Sequence, residues 1–417
     1  MPELKPVMPP RLRSRWLRFA AVVGPGIVVM LADTDAGSII TAAQSGAEWG
    51  YRLLLLQALL IPVLYIVQEL TVRLGIVTGK GHGQLIRQHF GSIWAWVSVS
   101  TLILACIGAL ITELSGIAGV GLLVGIPAWI SMFIVITGLM LMVYTGSYRT
   151  VERIAIAIGL FELVFLVVAW QAHAHPAAIL SGTFSLPLSN PKYLYLAAAN
   201  IGAVIMPWMV FYQQSAVVEK KLNIGDMNSA RLDTAIGSVV TQMVMAAVLI
   251  ATAATIGYAG KTQSLETIQQ IAQAITPVLG EHVGTLMFAL GMIGAALVAT
   301  IVVTLTAART LGEVMGFKHS LEYLPKEAPW FYGVYSASLI LGGFLVVSGI
   351  SLVKLSVGVQ VMNALLLPIV LGFLYLLARR ALPEAHRLKG AYAVIVAIVI
   401  AITAGFGVYA ALTGVFT

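Results

Sequence analysis

The chain has 417 residues, of which 59% are apolar and 10% charged, and its mean hydropathy is +0.95. A soluble domain carries about 25% charged residues, so 24 basic and 17 acidic side chains cannot clothe the cores this length would need. A polytopic membrane protein is expected, and the single cysteine, Cys106, excludes a disulfide framework or a Cys-x-x-Cys metal site.

The start, Met-Pro-Glu-Leu-Lys-Pro, has no short apolar stretch ending in a cleavage site, so no signal peptide is expected. A spanning helix takes roughly 20 apolar residues. Runs of that kind occupy 17–49, 51–77, 92–124, 127–146, 150–172, 193–219, 231–258, 284–312, 330–350, 352–378 and 390–413, which makes eleven spans. Turn residues separate them, as in Thr-Gly-Lys-Gly-His-Gly at 78–83 and Ser-Leu-Pro-Leu-Ser-Asn-Pro at 185–191. Of the 24 basic residues, the N-terminus and the even-numbered loops hold all but Arg52, Lys192, Lys261 and Lys354. Basic residues gather on the cytoplasmic side, so the N-terminus is expected inside and the C-terminus outside. The net charge of +7 is then an orientation signal, and nucleic acid is not a partner. No GxxxxGK[ST] run is present to cradle a nucleotide, and no loop is long enough to hold a water-facing enzyme domain.

Two spans are interrupted. The first contains Ala32-Asp33-Thr34-Asp35-Ala36-Gly37-Ser38 at mid-depth, and the sixth contains Gly202-Ala203-Val204-Ile205-Met206-Pro207-Trp208. Pro207 removes a backbone donor and clashes with the preceding turn. Non-helical backbone at that depth survives only around a buried or watery cavity. Breaks five spans apart predict an all-α, LeuT-type inverted repeat of five plus five helices, with discontinuous helices 1 and 6 and an eleventh span. The segments are 1–16 (a cytoplasmic N-terminal segment), 17–175 (first repeat), 193–378 (second repeat) and 390–417 (eleventh span). In this architecture the ends of the half-helices offer carbonyls to a cation.

Several stretches carry a family resemblance. Gly24-Pro25-Gly26 with Asp35, Gln44-x-Gly46-Ala47-x-x-Gly50-Tyr51, Arg73-Leu-Gly-Ile-Val-Thr-Gly-Lys80 and Ala203-x-x-Met206-Pro207 resemble the Nramp family of divalent-metal transporters. The likeness covers most of the chain and is most specific over 24–80 and 200–216. Departures are informative. The family's Asp-Pro-Gly-Asn reads Asp35-Ala36-Gly37-Ser38, and its Met-Pro-His reads Met206-Pro207-Trp208. Glu113 matches the third-helix glutamate, but the aspartate three residues earlier is Leu110, and the arginine pair of the ninth helix has no counterpart near Trp330. This pattern is most similar to the Nramp-related magnesium transporter branch. The resemblance implies a metal site of Asp35, Ser38, Ala203 (through its carbonyl) and Met206.

The residues themselves allow more than one use. Asp35 is an embedded carboxylate, costly unless functional. Asp33 can ligate directly or hydrate the vestibule. Ser38 can offer its hydroxyl or cap the second half-helix. The Met206 thioether suits softer metals, and Trp208 can only donate, so it reads as a wall. Gln360 and Asn363 share a helix face, and they, like Gln44, can line the site or join helices. Glu69 and Arg73 have ion-pair spacing. Glu162 can be a polar contact within the bundle, and the family resemblance implies that Glu113 is a residual proton-path acid. All seven histidines fall in loops or at span ends.

The expected protein is therefore not an enzyme and has no cofactor. It is a monomeric, multi-pass carrier in the cell membrane, the inner membrane of a bacterium, whose partners are lipid and divalent ions. It is expected to move Mg2+ and also Mn2+ inward by alternating access without proton coupling. The alternatives are a proton-coupled Mn2+ or Fe2+ symporter and, ranked below it, a cation channel.

Overall fold

The structure is a computed structural model that describes residues 22–256, 264–275, 280–348 and 352–416. The 1–16 segment, the beginning of the first span and Lys261 lie outside the described residues. Among those described, the regular structure is helical throughout.

The first span is two half-helices, α1 (Pro25–Asp33) and α2 (Ala36–Trp49). Pro25 begins α1, where its missing N–H would have had no partner in any case. The chain leaves helical geometry at Thr34 and becomes extended at Asp35 (φ −70°, ψ 173°). Asp35 then caps α2, its Oδ1 accepting from the Ser38 N–H at 2.6 Å. The cap that the sequence allowed to Ser38 thus belongs to Asp35, whose carboxylate three residues ahead has the reach for that N–H. The Ser38 hydroxyl is left for another use.

Gly50, at φ +60°, ends α2, and one 3-10 turn (Gly50–Leu53) leads into α3 (Leu54–Thr78). Residues 36–78 form a continuous 43-residue apolar run. Straight, it would measure about 65 Å at 1.5 Å per residue, twice the hydrocarbon core. Among the described residues, ten helical segments are long and apolar enough to cross a membrane, and the first of them holds both α2 and α3, joined at Gly50.

The first half continues with the short α4 (His82–Phe90), α5 (Ser92–Leu123) and α6 (Ala128–Thr145). Its fifth span is α7 (Tyr148–Gly159) and α8 (Val164–Gln171), joined by a 3-10 turn at Leu160–Leu163, and α9 (Pro176–Thr183) follows. The second half opens with another broken span, α10 (Pro191–Val204) and α11 (Pro207–Glu219). Proline pushes the residue before it toward extended backbone, and Met206 has φ −90° and ψ 141°. Then come α12 (Met227–Thr255), α13 (Ile268–Ile275), α14 (Glu281–Met315), α15 (Pro329–Val347), α16 (Leu352–Arg380) and α17 (Gly390–Phe416).

Packing between the halves is reciprocal. The broken helix of the first half, α1 and α2, lies along α12, the second span of the other half. The broken helix of the second half, α10 and α11, lies along α3, the second span of the first. The third spans, α5 and α14, pack on each other, α7 packs on α14 and α16 on α5. This exchange is what a pair of inverted repeats produces. The eleventh span, α17, covers α10 and α16. Close approach relies on small residues: a side chain at Gly202 would collide with the Gln360 carbonyl and come within 2.8 Å of the Ala364 nitrogen. The sixth span is 94% buried over its apolar window, against 22% for the fourth. The two breaks therefore sit at the centre of the bundle.

Candidate functional site

The breaks of the first and sixth spans meet. The Ser38 hydroxyl donates to the Ala203 carbonyl at 3.0 Å, joining the first turn of α2 to the last turn of α10. Asp35 is fully buried; its Oδ1 is occupied by the cap, and its Oδ2 has no partner. Met206 is also fully buried and occupies the cap position of α11, so its backbone forms the other lip of the break. From α5, Glu113 Oε2 accepts from the Ala36 N–H at 2.9 Å, and the Glu113 and Asp35 carboxyl groups face each other. From α16, the Gln360 amide lies over Gly37, where any side chain would collide with it. Asn363 donates to Gln360 Oε1 at 2.9 Å and keeps its own Oδ1 unpartnered. Asp35, Ser38, Ala203, Glu113 and Gln360 are thus brought together, with Asn363 beside Gln360 and Met206 at the break of the sixth span.

The chemistry of that point is oxygen-rich and electron-donating. Asp35 Oδ2, Glu113 Oε1 and Asn363 Oδ1 are buried acceptors without donors, each costing about 1–3 kcal/mol if left so. The Ala203 carbonyl keeps a second lone pair beside its bond to Ser38. The C-terminal ends of α1 and α10 add the negative poles of two helix dipoles. None of the ion pairs among the described residues involves Asp35 or Glu113. A desolvated cation would meet these needs. Trp208 is fully buried and its indole N–H has no partner; it offers no lone pair and stands as a wall.

Gln44 lies elsewhere. Its Oε1 accepts from the Leu265 N–H at 2.9 Å, and its Nε2 donates to Ser264 Oγ at 2.8 Å and to Glu48. Six residues along α2 carry it about 9 Å from Ser38. There it lines a cavity of about 730 Å3, together with Glu48, Trp49, Arg52, Lys192 and Tyr195. That cavity lies on the side that bears Arg52, Lys192 and Lys354.

Toward the start of α1, polar contacts join the helices, most of them between partners far apart in the sequence. Lys220 donates to the Val23 carbonyl at 2.7 Å and pairs with Glu152 at 3.0 Å. Asp233 Oδ2 accepts from the N–H groups of Gly26 (2.7 Å) and Gly24 (3.3 Å), serving as a remote cap for α1. Arg309, nearly fully buried, pairs with Glu219 and lies over the Tyr148 ring. Glu69 pairs with Arg73, as its spacing suggested, and also with Arg231, both at 2.7 Å. Nearby, in α4 between the second and third spans, His82 Nδ1 meets Gln214 Oε1 at 2.9 Å. Gln214 gives its own N–H to the Lys80 carbonyl, so His82 is the donor. Burial holds this imidazole down at about 4. The one available hint was that a Gly-Pro-Gly helix start cannot cap itself and needs a distant acceptor.

Comparison with known proteins bears on the fold and the family. A manganese transporter from Eremococcus coleocola has a solved structure that superposes with a TM-score of 0.80 at 21% identity, covering 99% of this chain and 90% of its own. MhsT, solved in complex with L-phenylalanine, superposes with a TM-score of 0.60 at 13% identity, covering 96% of this chain and 99% of its own. Among curated proteins, the divalent metal cation transporter MntH of Bradyrhizobium diazoefficiens is 29% identical over 305 residues, 70% of this chain and 67% of its own. MntH of Brucella suis is 28% identical over 309 residues, 71% of this chain and 67% of its own. The family model for natural resistance-associated macrophage protein-like sequences matches residues 26–413, nearly the whole chain, and the protein belongs to the Nramp family.

Proposed function

We propose that this protein is a carrier of divalent cations, not an enzyme, and that it takes Mg2+ and also Mn2+ into the cell by alternating access without moving protons. Its relatives carry the names divalent metal cation transporter and manganese transporter, which supports the class of cargo. The metal is substrate and not cofactor. The carrying observation is the Ser38–Ala203 bond of 3.0 Å beside the unpartnered Asp35 Oδ2. A short hydroxyl stands where the family resemblance calls for an amide, so the ion loses one direct ligand and gains room. Mg2+ dehydrates reluctantly and keeps several waters, which suits such a cavity. The Met206 thioether favours Mn2+ over Ca2+.

Absence of proton coupling is supported by what lies around Glu113. Leu110, one turn earlier on α5, packs against Gly342 of α15, and Leu114 meets the same glycine. The sixth-span break carries Trp208 in place of a histidine. The second reading, a proton-coupled Mn2+ or Fe2+ symporter, has one observation in its favour: Glu113 faces Asp35 directly.

The cavity at Gln44 supports access from outside, because the charge count places Arg52, Lys192 and Lys354 there. The ion pairs of Lys220 and Arg309 then close the cytoplasmic side. The N-terminus is inside, the C-terminus outside, and a monomer suffices. The test is uptake into proteoliposomes. Excess Mg2+ should suppress Mn2+ uptake while Ca2+ leaves it nearly unchanged; Mn2+ uptake indifferent to excess Mg2+ would overturn the shared site.

A further inference from the structure

A second group of embedded oxygens lies on the fifth and seventh spans and the end of α1, within the field of Asp35. Asp33, the last residue of α1, is 1% exposed, and Glu162, in the 3-10 turn of the fifth span, is 0% exposed. Between them stand two hydroxyls: Thr34 Oγ1 lies 2.7 Å from Thr241 Oγ1 of α12, and Thr241 reaches Asp33 Oδ2 at 3.4 Å. The Glu162 carboxylate lies beside Thr34, within the fields of Asp33 and Asp35. Its approach depends on Gly159, where a side chain would press to 2.7 Å from Leu31 of α1. A 3-10 turn inside a spanning helix is a local departure of the kind that accompanies function.

Donors are too few for these acceptors. Two hydroxyls supply two hydrogens, and the Met30 carbonyl competes for one of them, 3.4 Å from Thr34 Oγ1. Asp33 Oδ1 has no hydrogen-bond partner, and the two oxygens of Glu162 have at most the Thr34 hydroxyl, for which Thr241 and the Met30 carbonyl compete. Neither acid belongs to any ion pair among the described residues. Two buried carboxylates without a counter-charge are unfavourable by several kcal/mol per ion. One doubly charged cation balances both.

We propose that Asp33 and Glu162, with the hydroxyls of Thr34 and Thr241, form a second cation site that takes a hard divalent ion such as Mg2+. Every donor is oxygen, with neither sulfur nor nitrogen, and such sets select Mg2+ or Ca2+ over softer metals. The site lies between α1, α12 and the 3-10 turn, whereas the Asp35 site faces α5, α10 and α16. Occupancy would tie the end of α1 to the fifth and seventh spans.

The inference does not depend on which ion is transported, and its test is separate. The full-length protein is purified in detergent and dialysed to equilibrium against Mg2+ in a sodium-containing buffer, and bound metal is counted per chain. Wild type should hold two ions, Asp35→Asn one, Glu162→Gln one, and the double variant none. Thr241→Val, which keeps both acids, should weaken the second ion about tenfold and carries the test if Glu162→Gln does not fold. A wild-type count in folded Glu162→Gln, or no Mg2+ left in Asp35→Asn, would overturn the second site. Loss of the second ion to sodium would overturn its assignment to a divalent cation. If instead Asp35→Asn keeps both ions while Glu162→Gln loses one, the second site stands and the proposed transport site fails.

Discussion

The Ser38 hydroxyl donates to the Ala203 carbonyl across 3.0 Å, so a single bond fastens the two broken spans to each other beside Asp35. A longer side chain at position 38 would push between α2 and α10 and bring an amide oxygen to the ion. Ser38→Asn is expected to shift the Mg2+/Mn2+ uptake ratio toward Mn2+ by about tenfold, the worth of one ligand. The ratio is read from paired uptake in proteoliposomes, and an unchanged ratio would contradict the role given to Ser38.

Asp35→Asn should reduce uptake of both metals by about a hundredfold or more, the scale of removing one partner of a buried charge pair. Insertion and folding should persist, because an asparagine can still cap α2. Near wild-type uptake by a well-folded variant would remove Asp35 from the site.

Asp233 holds the N-terminal end of α1 through the Gly24 and Gly26 N–H groups. Asp233→Ala is expected to free that end, at about 1 kcal/mol per lost cap. Backbone hydrogen exchange over residues 22–33 should then quicken about fivefold, with little change in α16. Equal exchange in the variant and wild type would show that α1 is held by packing alone.

His82 gives a pH dependence whose sign is fixed. Its pKa falls from 6.5 to about 4 in the folded protein, so the unfolded chain binds a proton first as the solution is acidified. The stability this group confers is complete above pH 6.5 and declines as the pH falls toward 4. His82→Gln should therefore lose less thermal stability than wild type between pH 6.5 and 4.5, measured by unfolding in detergent. Identical pH slopes would mean that the imidazole is not kept neutral by burial.

The helix breaks could be read in the sequence because their causes are local. A proline at 207 and two acids at 33 and 35 declare themselves within a few residues, and their separation by five spans suggested the repeat. Gln360 and Asn363 were readable as one helix face, though only the structure lays Gln360 over Gly37. Gln44 was readable as polar but not by depth: periodicity gives a face, and the distance along α2 puts it at the cavity beside Arg52 and Lys192. The closing contacts could not be read. Lys220 meets Val23 across 197 residues and Asp233 meets Gly24 across 209, and a sequence carries no local mark of such partners. Glu162 could pass for an ordinary polar contact until Thr34 and Thr241 were placed beside it.

Proton coupling separates the two transport readings most sharply. Tight proteoliposomes holding the wild-type protein and a trapped pH-sensitive dye are clamped at a potential negative inside, and Mg2+ or Mn2+ is added outside. Each uncoupled ion carries two charges inward, driven by about 2.3 kcal/mol per charge per 100 mV. Metal should enter, faster at more negative potential, with the internal pH constant. Acidification that follows metal entry and vanishes without metal would contradict the uncoupled carrier and make Glu113, beside Asp35, the group that takes the proton.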